Sequence, residues 1–157
     1  MDTQTKKYLP PEKEAVFPNL RRENYHVTSC DDPFYNCIAY AAEVYDKWWW
    51  PVEADGTDWP ESLPEYVTLE VFVSAFRTKG YSECNDNDTT VEAGMEKVAI
   101  YAYDDGEPTH AAKQLPSGTW SSKLGGWEDI EHATLEDLEG DDPAYGKVAR
   151  VLKRPRS

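Results

Sequence analysis

Cys37 and His110 are the two residues whose types and settings suit covalent chemistry. Cys37 falls in the first turn of a helical pattern, NCIAYAAEVYDKWWW at about 36–49, directly behind Asn36, a good N-cap. Unpaired backbone N–H groups and the positive end of the helix dipole favour a thiolate there, lowering a thiol's pKa from its free value of about 8.5. His110 lies in the strand pattern THAAKQL, where Ala112 and Gln114 share its face and Ala112 leaves room beside an imidazole. So placed, the ring serves as general base to a thiol carried up by a packed helix. A third group should orient it: Ser121 or Ser122 on the next strand, or Asp129 after the Gly125-Gly126 break, the preferred candidate. A two-residue turn would pair Ala112 with Lys123 and a three-residue turn with Ser122, which leaves the presented face open. Each residue also has a plainer role. Cysteine is among the most buried residue types, a strand histidine is often structural, and Asp129 can solvate an acidic loop. His26 and His132 sit in polar segments and read as surface residues.

The elements that must position this pair follow from periodicity. Cys37, Tyr40, Ala41, Val44 and Trp48 line one face of the first helix, which Pro51 stops. Leu69, Phe72, Val73 and Phe76 are the apolar stripe of a second helix at about 68–79, closed by Gly80. Between them PVEADGTDWPESLPEY reads as an ordered loop or lid. The period then changes to two, predicting strands at about 96–103, 108–115 and 119–124 with turns at 104–106 and 116–118. A short helix at about 134–138 and a last strand at about 147–153 complete an α+β domain, its N-terminal helices packed on an antiparallel sheet. Residues 1–24, broken by Pro10, Pro11 and Pro18, read as an N-terminal arm, and residues 25–157 as the single domain.

YNCIAYAA followed by a His-bearing hairpin resembles the papain-like thiol hydrolases, of which the NlpC-type peptidases and transglutaminase-like proteins share this order. CIAYAAEVYDKWWWP together with THAAKQLPSGTWSSKLGGWEDIEH resembles an uncharacterised bacterial family, a domain of unknown function, over most of residues 30–155. The papain-like resemblance implies a papain-like fold, Cys37 as nucleophile and His110 as base. It implies Asp129 or a hairpin serine as orienter; in this chain Asn36 and the Cys37 N–H are the groups that could donate to an oxyanion. Where papain-like peptidases carry a glutamine upstream of the cysteine, this chain has Asp31, Asp32 and Asn36, and a carboxylate there opposes a developing oxyanion. Trp49 and Trp50, in a run of three indoles, and Ser122 are candidates to line a cleft for substrate.

Composition sets the frame. Sixteen basic and 30 acidic residues in 157 give a net charge of −14, a field that repels nucleic acid and anionic membranes. Six Trp and ten Tyr argue for a buried core rather than disorder. The odd set Cys30, Cys37 and Cys84, without a CxxC pair, reads as neither disulfide scaffold nor zinc site. No membrane span or secretory leader is expected, so the expected location is cytoplasmic, with no cofactor or metal. Two functions are open. One is a thiol hydrolase or acyl-transferase acting on a peptide, amide or isopeptide bond. The other is a non-enzymatic acidic binding protein, of immunity or inhibitor type, for a basic protein partner.

Overall fold

Capping side chains open the two helices on one side of the molecule. The Asn36 side chain accepts the Ala39 N–H at 3.0 Å to start α2 (Cys37–Ala41), and Thr68 Oγ1 accepts the Val71 N–H at 3.3 Å to start α3 (Leu69–Arg77). A shorter α1 (Pro11–Glu14) precedes them. The computed structural model describes residues 7–29, 36–42, 48–49, 57–58, 67–84, 87–124, 127–141 and 144–156, with the backbone alone at 29, 48, 49, 57 and 58. The expected helix to residue 49 is corrected: Trp48–Trp49 form β2, paired in parallel with β3 (Thr57–Asp58). Bulky aromatics lose rotamer freedom against the preceding helical turn and suit extended chain.

Seven strands form the main sheet. They are β1 (Tyr25–Ser29), β4 (Ser82–Glu83), β5 (Met95–Ala102), β6 (Pro108–Gln114), β7 (Trp120–Lys123), β8 (Asp129–His132) and β9 (Lys147–Pro155). Their order is β1-β8-β7-β6-β5-β9-β4, with antiparallel pairing throughout. The expected helices, hairpin strands and last strand thus form a mixed helix and antiparallel sheet architecture. Pairing of Lys113 with Ser121 settles the hairpin register in favour of the alignment that sets Ala112 across from Ser122.

Period-2 alternation divides the sheet into two faces. Val98, Ile100, Ala111 and Leu152 pack with Cys37, Ile38, Phe72 and Phe76 from the helices. Ala99, Tyr101, Ala112, Trp120, Ile130 and Val151 form the other face. Leu9, Phe17 and Leu20 cover it from the N-terminal segment, and Leu135 and Leu138 from a 3-10 helix (Leu135–Leu138). The described part of the arm is therefore core: Leu9 is 1% and Phe17 2% exposed. Tyr25 Oη accepts the Leu9 N–H at 3.0 Å and donates to Glu14, and the Val27 N–H donates to Lys7 O, so the segment also covers the outer edge at β1. No described helix is long and apolar enough to cross a membrane.

Candidate functional site

Cys37 is the first residue of α2, as its spacing from Asn36 predicts, and α2 packs on β6, the strand of His110. Cys37 is 5% exposed and belongs to the cluster of Ile100 and Ala111. His110 follows the opposite alternation. It pairs with Tyr101 in register, and the two rings meet edge-on at 5.3 Å. Tyr101 faces the N-terminal segment, so Cys37 and His110 belong to different faces of the sheet.

Tyr145 occupies the space beside the imidazole. Its ring lies on the His110 ring with centroids 4.2 Å apart and planes 2° from parallel, and Phe17 packs behind it at 5.2 Å. His110 is fully buried, and neither Nδ1 nor Nε2 has a hydrogen-bond partner among the described residues. Burial, reinforced by neighbouring His132, holds its pKa well below the ordinary imidazole value, so the ring is neutral. The Tyr145 phenol is pushed up by burial and by the nearby Cys37 thiol, so it too is neutral. In this arrangement the imidazole has, among the described residues, neither the hydrogen-bonded thiol nor the orienting acceptor that a general base uses.

Asp129 lies elsewhere. It is across from Lys123 on β7, and the Lys123 Nζ to Asp129 Oδ1 distance is 4.0 Å. Lys123, itself fully buried, donates to Trp127 O at 2.7 Å. Ser121, between Lys113 and Glu131 on that face, shares a 2.6 Å hydrogen bond with the Tyr40 hydroxyl on α2. Alternation therefore sets Asp129 on the helix face, away from the imidazole it is expected to orient. Asn36 caps α2, which engages its side-chain oxygen. Trp49 contributes its backbone to β2, and Trp50 lies outside the described residues, as does Cys30.

Ser122 has a different partner from any expected. Its Oγ is 2.8 Å from His132 Nε2, and His132 Nδ1 is 2.8 Å from Thr134 O. A carbonyl only accepts, so Nδ1 carries the proton, Nε2 is bare and Ser122 donates to it. Both residues are buried, with Ser122 fully enclosed and His132 1% exposed, which corrects the surface reading of His132. Its pKa is lowered by burial. The pattern DIEH is too short to distinguish a buried strand from a polar loop, which conceals β8. Nothing local signals Tyr145 either, because PAYG sits between an acidic run and the last strand, with no period to place it.

A cavity of about 530 Å³ opens at the end of the sheet near Tyr145, lined by Asp104, Asp105, Glu139 and Asp141, with Lys147 the one cation among its described lining residues. Gly140 and Gly146 also line it and exchange backbone hydrogen bonds of 2.9 and 2.7 Å. Gly146, at φ +76, admits no side chain, since a Cβ would sit 2.2 Å from Ala102 O. Among the described residues no group of three or more His, Cys, Asp or Glu is placed to hold a metal ion.

No curated protein and no solved structure matches the chain. The model of a domain of unknown function, DUF7689, matches residues 26–153, from β1 almost to the end of β9, and the chain belongs to that family.

Proposed function

We propose that this chain is a non-enzymatic acidic binding protein whose partner presents basic groups. One arrangement carries the reading: a tyrosine, rather than a thiol, lies against the His110 imidazole, and Cys37 is buried on the other face. The net charge of −14 steers cationic partners toward the molecule. The cavity of Asp104, Asp105, Glu139 and Asp141 is the docking place in this reading, with carboxylates to face basic side chains of the partner and more room than one of them fills.

The test is calorimetric titration of the full chain with an arginine- and lysine-rich peptide and with an acidic control peptide. Binding of the basic peptide alone, weakened by salt and about tenfold weaker in an Asp104→Asn/Asp105→Asn variant, is expected. Absence of binding at low salt, or indifference to the double substitution, overturns the proposal.

A papain-like hydrolase cleaving a peptide or isopeptide bond is the second reading. The observation in its favour is the capped Cys37 at the start of a helix packed on the His110 strand. It requires a conformation in which Tyr145 leaves and the thiol reaches the imidazole.

A further inference from the structure

We infer that Tyr145 is an acid-released plug: it covers a buried imidazole whose two ring nitrogens have no partner among the described residues, and proton uptake by His110 expels it. Such a plug operates whether or not a basic partner binds. Tyr101, from β5, is fully buried beneath His110 and anchored by its hydroxyl to Leu135 O at 2.6 Å. His132, from β8, is held by Ser122 and Thr134 O. Among the described residues named here, Tyr145 is the one that is only partly buried. Water reaching the imidazole therefore passes where Tyr145 sits.

A neutral imidazole tolerates an apolar surrounding, whereas an imidazolium needs two acceptors or water. Stacking on a phenol gives the cation some attraction, but that is smaller than the cost of leaving a charge dry. The groups around it do not offset that cost. Tyr101 and Tyr145 are neutral phenols, and His132 is a second base that adds repulsion when charged. The nearby carboxylates Glu139 and Asp141 line the cavity, and Glu139 is engaged with the Val148 N–H at 3.0 Å. Protonation therefore favours the arrangement in which the ring of Tyr145 swings off and water replaces it. Gly146, the next residue, lines the acidic cavity and is tied to Gly140 by two backbone hydrogen bonds, so displacement of Tyr145 is felt at the cavity wall.

The experiment is an NMR titration of the full chain from pH 8 to pH 4, following the Tyr145 ring, the Gly146 amide and the His110 ring protons. The expected result is loss of the ring-to-ring NOE between Tyr145 and His110 at the His110 midpoint, with the Gly146 amide shifting alongside, while the Ile100 and Leu152 amides hold. In His110→Phe, which stacks but binds no proton, this transition is absent. A Tyr145–His110 NOE that persists below the His110 midpoint, is lost at a different midpoint, or vanishes together with the sheet amides overturns the inference. The wild-type midpoints decide the matter even if His110→Phe does not fold.

Discussion

The ring of Tyr145 lies flat on the imidazole of His110, 4.2 Å between centroids, while Cys37 packs with Ile100 and Ala111 in the helix-side cluster. The stack and the edge contact with Tyr101 contribute about 0.5–1.5 kcal/mol each beyond simple burial. Leaving a buried polar atom unsatisfied costs about 1–3 kcal/mol, and His110 has two such nitrogens. An apolar ring would serve packing better. The plug proposed for Tyr145 accounts for a histidine being kept at this position despite that cost.

Cys37 should be a slow thiol. At 5% exposure, with no hydrogen bond to His110, it is expected to react with iodoacetamide about tenfold or more below a free cysteine. The rate should be the same in His110→Phe. Site-resolved mass spectrometry of alkylation against pH checks this. Fast modification of Cys37 below pH 7 that disappears in the variant would revive the hydrolase.

Asn36→Ala should destabilise the chain by about 1–2 kcal/mol, the upper part of the range for a lost N-cap, because the freed Ala39 N–H is buried. Urea unfolding measures it. Asn36→Asp should recover most of the loss, since a carboxylate also caps. An oxyanion donor would not be replaced by an acceptor, so this pair of variants separates the two roles of Asn36.

Periodicity alone makes much of the fold legible. Val98, Ile100 and Leu152 against Ala99, Tyr101 and Val151 are strict alternations, and Gly80 and Gly106, both at positive φ, mark an end and a turn where expected. The candidate site is legible only as residue types. Whether a thiol and an imidazole meet depends on which face each strand residue takes, and His110 and Ala111 are adjacent residues with opposite answers. That parity is fixed by the pairing of Tyr101 with His110, a contact between strands that no local pattern encodes. Trp48 and Trp49 show the complementary error, in which an apolar stripe at helical spacing continues into residues that form β2.

Ser122→Ala should leave His132 Nε2 buried without a donor and cost about 1–3 kcal/mol in urea unfolding. The ring should remain the Nδ1–H tautomer because Thr134 O still accepts from it. Nitrogen-15 shifts of His132 read the tautomer directly. A protonated Nε2 in the wild-type chain would sink the assignment of Ser122 as donor.

Acid should weaken the fold through both buried histidines. Their pKa values are lowered in the folded chain, His110 strongly, while the unfolded chain titrates near the ordinary value of 6.5. Below that value the unfolded state binds more protons than the native state, so stability rises with pH. The histidine contribution is therefore complete above about pH 6.5 and shrinks as pH falls toward the depressed native values, by up to about 1.4 kcal/mol per pH unit for each ring. The carboxylates of Asp88 and Glu92, lowered by hydrogen bonds to Thr90 and to Lys97 and Lys153 respectively, act in the same direction but at lower pH. Urea unfolding between pH 8 and pH 5 should show this slope in the wild-type chain and a shallower one in His110→Phe. At pH 8 the variant should lie within about 2 kcal/mol of wild type, since removal of two unsatisfied nitrogens offsets the extra ring volume. Equal slopes in the two proteins would mean that His110 is already protonated, or solvated, in the folded state.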